Sequence, residues 1–150
     1  MSGDFTNRFD REILKSEMAK INTEKLKEAE EKKEAERIDV FLEDIDKLLA
    51  RRAAFVTERF KNSTAVDLPG AGFQYSFKAD GKLKAADFSI TARINDSRMA
   101  VHVESFYEIP DVKAKEKDYI TIPLQKLDLD RAKRFIESKL LDFARLYSGG

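Results

Sequence analysis

The apolar positions fall into three regimes along the first sixty residues. Neither glycine nor proline occurs between Gly3 and Pro69, and the stretch is filled with Glu, Lys, Ala, Leu and Arg, which lose least on entering a helix. The pattern predicts helix over residues 7 to 61, in one piece or two. Phe9, Ile13, Leu14, Met18 and Ile21 come first, a narrow stripe at spacings of three and four. Residues 24 to 37 then carry six Glu and five Lys or Arg, with Leu26, Ala29 and Ala35 as the apolar positions, a composition that is helical while solvated on every side. From Ile38 the stripe widens to include Phe41, Leu42, Ile45, Leu48, Leu49, Ala53, Val56 and Phe60, the breadth of a helix packed on a sheet. A heptad reading of this last part places Arg52 and Arg59 in the seam, which favours core packing over a coiled coil.

Beyond residue 61 the period changes from helical to alternating. Residues 62 to 72, with Pro69 and two glycines, read as a connector. Phe73, Tyr75 and Phe77 alternate with polar residues, as do Phe88, Ile90, Ala92 and Ile94, then Met99, Val101 and Val103. Two-residue turns at Asp80-Gly81 and Asn95-Asp96 would pair Tyr75 with Ala86, Phe73 with Phe88, Ala92 with Met99, Ile90 with Val101 and Phe88 with Val103, with all of them on one face. Residues 111 to 118 read as an exposed loop. Tyr119 to Leu124 supply a fourth strand with Ile120, Ile122 and Leu124 inward, and Pro123 marks a sheet edge. Asp128 or Asp130 caps a final helix over 129 to 147 whose apolar face holds Leu129, Ala132, Phe135, Ile136, Leu140, Phe143, Ala144 and Tyr147, and Gly149-Gly150 ends it. The expected fold is α+β: a long N-terminal helix, a four-stranded antiparallel β-meander and a C-terminal helix, with helices packed on one face of the sheet. The expected division is a charged helical arm over 1–37, with partial disorder as the alternative, and an α+β domain over 38–150.

Composition sharpens this division. Charged residues make up 37% of the chain, against roughly 25% in an average globular protein, so a solvated segment joined to an ordinary domain is expected. Acidic and basic residues balance at 28 each, so no overall field draws nucleic acid or an anionic membrane to the molecule. The chain has no cysteine, which excludes disulfides, thiolate chemistry and Cys-type zinc sites and suits a reducing, cytoplasmic setting. No stretch has the apolar run of a secretory signal or a membrane span.

Candidate chemistry is sparse. The expected register brings Asp87 across from Glu104 and Ser89 across from His102 on the polar face of the sheet, where paired carboxylates beside an imidazole have the donors a divalent cation takes. A wet sheet face carries such residues by default, and the single histidine rules out any two-histidine metal motif. Gly70-Ala71-Gly72 and Ser148-Gly149-Gly150 lack the phosphate-loop pattern. Arg131, Lys133, Arg134, Lys139 and Arg145 give the last helix a basic side, and Phe106 and Tyr119 would place exposed aromatics near it. No family signature is read in these residues, and no cofactor or metal is assigned. The expected function is a non-enzymatic protein–protein interaction or adaptor module that engages a partner protein, or a second copy, through Phe9, Ile13, Leu14, Met18, Ile21 and Leu26. The alternatives are a small-ligand or metal-binding domain, with enzymatic activity included, using Asp87, Ser89, His102 and Glu104, and a weak nucleic-acid binder using the last helix.

Overall fold

The structure is a computed structural model in which residues 2–149 are described. Met1 and Gly150, the outermost residues of the two expected segments, lie outside them, and with Gly150 half of the expected Gly-Gly helix stop. The elements run α1 (Ser2–Arg59), β1 (Ser63–Asp67), β2 (Ala71–Phe77), β3 (Ala86–Ile94), β4 (Ala100–Ile109), β5 (Ala114–Pro123) and α2 (Leu129–Gly149). Short 3-10 turns occupy Pro110–Val112 and Leu124–Lys126. The protein is α+β, and the five strands form one antiparallel meander in the order β1-β2-β3-β4-β5. By internal contacts the chain forms two units, Met1–Ile38 and Asp39–Gly150. α1 supplies all the described residues of the first and opens the second.

The strand not expected from sequence is β1. It arises within the segment read as connector, where Ser63, Thr64 and Asp67 mask the signal of a strand. Ladder pairing with β2 decides it: Ser63 lies opposite Phe77, Ala65 opposite Tyr75 and Asp67 opposite Phe73. The Pro69-Gly70 turn that follows has Gly70 at φ +83, as the third residue of a Pro-Gly type II turn needs. The segment expected as the loop 111 to 118 is also mostly strand. Pro110–Val112 makes a tight turn closed by the Lys113 N–H bond to the Pro110 carbonyl, and β5 then pairs with β4 from Ala114 opposite Ile109 to Pro123 opposite Ala100. Polar residues dominate this stretch because β5 is an edge strand, where charged side chains discourage further pairing.

Both hairpin registers differ from expectation, and both by an even number of residues. Tyr75 pairs with Phe88 and Phe73 with Ile90, two residues from the expected partners, because Gly81-Lys82 forms the centre of the first turn. Asp80 and Leu83 exchange bonds of 3.0 and 2.9 Å around it, and Gly81 takes φ +58. The second loop is four residues longer in register: Ala92 pairs with Val103, Ile90 with Ser105 and Phe88 with Tyr107. Here the Asn95 carboxamide oxygen accepts from the backbone N–H groups of Met99 and Ala100, at 3.1 and 3.2 Å, and from the Ser97 hydroxyl. The side chain thereby holds open a wider turn in which Met99 is exposed instead of facing inward. Even shifts leave every side chain on its original face, so the apolar face of β2, β3 and β4 assembles as the alternation requires.

That face carries the core. Tyr75, Phe88, Ile90, Val101, Val103, Ile109 and Ile122 are fully buried, with Ile45 and Leu49 of α1 and Ile136 of α2. Each aliphatic or Phe side chain so removed from water contributes about 1.5–3 kcal/mol. Phe143 of α2 stacks into Phe77, Phe88 and Tyr107, at ring separations of 5.1, 5.0 and 5.9 Å. Phe60, just after α1, meets Phe77 and Tyr147 edge-on. Asp128 caps α2 by accepting from the Arg131 N–H at 3.2 Å. The far end of α2 is tied to the first hairpin: the Tyr147 hydroxyl donates to the Lys84 carbonyl at 2.6 Å and accepts from the Asn62 amide at 2.8 Å.

Candidate functional site

The polar face of the sheet keeps all four residues expected on it but does not bring them together as expected. Asp87 lies opposite Glu108 instead of Glu104, and Ser89 lies opposite Phe106 instead of His102. The wider Asn95 turn is the cause, since it slides β4 along β3 by four residues. The Asp87–Glu104 carboxylate pair therefore does not form. Glu108, which does face Asp87, has Lys115 on its other side in the ladder, so a cation offsets the repulsion.

His102 and Glu104, two residues apart on β4, stay neighbours with Nε2 and Oε1 at 3.7 Å. Lys117 approaches Glu104 to 3.3 Å, and the Tyr119 ring lies 5.0 Å from the imidazole. Across from them stand Thr91 and Arg93. The result is a carboxylate already matched by an ammonium. Among the described residues no group of three or more His, Cys, Asp and Glu side chains is set to hold a metal ion.

The basic helix and the two aromatics, of which Tyr119 is exposed and Phe106 only half-buried, are separated by the sheet itself. Phe106 and Tyr119 share the open face with His102 and Glu104, while α2 packs on the opposite face through Phe143. Two of the five cations are also engaged. Lys139, only 12% exposed, meets Asp118 at 2.5 Å and Glu116 at 3.3 Å, and Arg145 meets Asp142 at 2.9 Å. The Lys139 bond holds the Asp118 carboxyl below its ordinary range, and Asp118 in turn raises the Lys139 ammonium. Tyr107 joins this cluster by donating to Glu116 at 2.9 Å. Burial, then that bond and the Glu116 charge, push its phenol up to about 12.

No family model, curated protein or solved structure matches this chain.

In the first unit the apolar side chains singled out from sequence are all exposed. Phe9, Ile13, Leu14, Met18, Ile21 and Leu26 keep between 43% and 67% of their surface in water. Phe5, one turn before Phe9 and not among the residues expected from sequence, is more exposed still, and its ring stacks on that of Phe9 at 6.1 Å. At about 100° per residue, Phe9 to Ile21 span roughly half of the helix circumference, and Leu26 falls on the other side.

A further feature has no counterpart in the sequence reading. Within the second unit, α1 and α2 leave an apolar cleft of about 230 Å³ over the aromatic face of the sheet, floored by Tyr75, Phe77 and Phe88 and walled by residues such as Val56, Leu140 and Phe143. Arg52 and Glu137 form an ion pair that joins the two helices there. Phe55 and Leu141, on the lining, are each 65% exposed. No periodicity could have shown this cleft, because it depends on the spacing of two helices joined through the whole sheet. The described residues include no helix long and apolar enough to cross a membrane.

Proposed function

We propose that this is a non-enzymatic interaction protein that works in the cytoplasm and pairs its N-terminal helical segment with another helix. The observation that carries the reading is the set Phe5, Phe9, Ile13, Leu14, Met18 and Ile21, exposed on a helical segment in which no residue from Asp4 to Arg37 is buried. Apolar surface left in water costs about 25 cal/mol per Å², and a facing helix recovers it. A second copy of this chain is the favoured partner. Between Asp4 and Arg37 ten acidic and nine basic side chains alternate in sign, so the segment is complementary to itself and presents no net field that would select a strongly charged partner. The cysteine-free composition suits a reducing compartment.

Sedimentation of the full chain, of a chain starting at Ile38, and of the full chain carrying Phe9→Asp and Ile13→Asp tests the proposal. The full chain is expected to sediment as a dimer or larger species and both altered chains as monomers. If all three are monomers, a pull-down from native extract with the same three proteins follows. Equal recovery of every associated protein by all three would overturn the reading.

A further inference from the structure

We propose that the basic cleft where the β2–β3 hairpin meets the ends of α1 and α2 binds a molecule carrying two adjacent phosphate groups. It uses no residue of the first unit, so it stands independently of helix pairing.

The cleft, of about 440 Å³, draws two cations from each of two segments: Arg59 and Lys61 at the end of α1, and Lys82 and Lys84 in the hairpin loop. No described acidic residue lines it. Glu58 and Asp80, the acidic residues closest in sequence, lie outside the lining and form no ion pair with any of the four. The chain as a whole balances 28 acidic against 28 basic residues, so this is a local excess. A concave wall of one sign concentrates anions, because the low-dielectric protein on either side focuses the field.

The size of the excess defines the ligand. The ends of α1 and α2 each present a partial charge of roughly −0.5, and together they offset about one of the four cations. About three positive charges remain. A dicarboxylate brings about −2 and a single phosphate group about −1.5 to −2, both short of the remainder. Two phosphate groups bring about −3 to −4 and meet it.

The cleft is also braced. The Tyr147 hydroxyl donates to the Lys84 carbonyl and accepts from the Asn62 amide, which donates to the Lys78 carbonyl as well. The segment after α1, the hairpin and the end of α2 are thereby tied together before any ligand arrives. The Arg59 guanidinium rests over the Phe60 ring at 5.4 Å, a contact with its face that leaves its N–H edge for the paired oxygens of a phosphate. The Lys84 ammonium donates to the Tyr147 carbonyl at 3.2 Å and keeps two further N–H groups. Ser148, on the same lining, adds a hydroxyl donor. Lys61 and Lys82 are exposed and their ammonium groups make no hydrogen bond, so both are free to close on the ligand.

Calorimetric titrations of the full chain at low salt compare pyrophosphate, inorganic phosphate and succinate. Pyrophosphate is expected to bind about 10-fold more tightly than either of the others, since it alone matches the unanswered charge. Lys61→Gln with Lys82→Gln takes one exposed cation from each segment and should weaken pyrophosphate binding about 10-fold, with the circular-dichroism spectrum unchanged. Lys133→Gln with Arg134→Gln removes the same charge from the exposed surface of α2 and should change the affinity by less than about 2-fold. Amide shifts on titration should cluster at residues 59–62, 82–85 and 147–148. A free molecule and a lipid headgroup share this chemistry, and co-sedimentation with phosphatidylcholine vesicles containing phosphatidylinositol bisphosphate separates them. Pelleting that is lost in Lys61→Gln with Lys82→Gln points to a headgroup, whereas pyrophosphate binding without pelleting points to a soluble molecule, and either supports the site. The proposal is overturned if pyrophosphate binds no more tightly than phosphate, if the two double variants weaken it equally, or if the shifts fall elsewhere.

Discussion

Gly72 shows how a single position carries a constraint that its neighbours do not. It pairs with Thr91 in the β2–β3 ladder, and a Cβ built on it would stand 2.9 Å from the Ile90 carbonyl oxygen and 3.1 Å from the Thr91 methyl. The first of these neighbours is backbone and cannot turn aside, so the two strands must separate locally. Gly72→Ala is expected to destabilise the protein by about 1–3 kcal/mol, the usual cost of overpacking, measured by urea denaturation. Gly70 has open space around it, and its requirement is conformational instead: φ +83 is a region that side chains disfavour. From sequence the two glycines looked alike, as parts of one connector. Only the partner strand distinguishes them, because the obstruction at Gly72 comes from residues eighteen and nineteen positions later in the chain.

At the scale of elements, the joint between α2 and β5 is electrostatic as well as apolar. Lys139 reaches from the helix to Asp118 and Glu116 on the strand, close to Tyr107. The depressed Asp118 carboxyl contributes stability above its ordinary value of 3.8, and this is lost as the pH falls through its lower folded value. The raised Lys139 ammonium contributes below its ordinary 10.5, and this is lost as the pH rises through its higher folded value. Tyr75 and Tyr107, both pushed up to about 12 from an ordinary 10.0, also favour the folded state fully below 10 and progressively less above it. Lys139→Met is therefore expected to cost about 1 kcal/mol across the neutral range, as part-exposed ion pairs do. The gap to the unaltered protein should close below about pH 3.8 and above about pH 10.5, as followed by thermal denaturation at each pH. The charges of β5 give this stretch the composition of a loop, yet Glu116 and Asp118 face Lys139 of the helix layer while Lys115 and Lys117 stand beside Glu108 and Glu104 on the open face of an edge strand.

For the whole molecule, the division after Ile38 separates two kinds of stability. The second unit buries a continuous core from Phe41 to Tyr147, whereas no residue from Asp4 to Arg37 is buried. A helix without tertiary burial gains little beyond its marginal intrinsic stability, and salt-sensitive pairs one turn apart add a few tenths of a kcal/mol each. Heating a dilute, monomeric sample should accordingly give two changes in helical ellipticity: a broad, non-cooperative loss from the first unit and a sharp transition from the second. A chain lacking residues 1 to 37 should keep the sharp transition within about 2 °C and lose the broad one. A single cooperative transition for the full chain, shifted by the truncation, would contradict this division.

Several features were settled by local pattern. The long helix follows from the absence of glycine and proline between Gly3 and Pro69, and the helical C-terminus from its apolar stripe. The inward row of Tyr75, Phe77, Phe88, Ile90, Val101 and Val103 follows from a side-chain period of two, which survives any register shift by an even number of residues. The partners in that row, the strand β1, and the separation of Asp87 from Glu104 were decided by tertiary structure. Loop width and edge pairing depend on hydrogen bonds such as those of the Asn95 carboxamide, which residue types alone do not announce. The cleft at Tyr75 was beyond the reach of sequence for a related reason. A cavity is a property of the space left between elements, and that space exists only once α1, α2 and the sheet have packed.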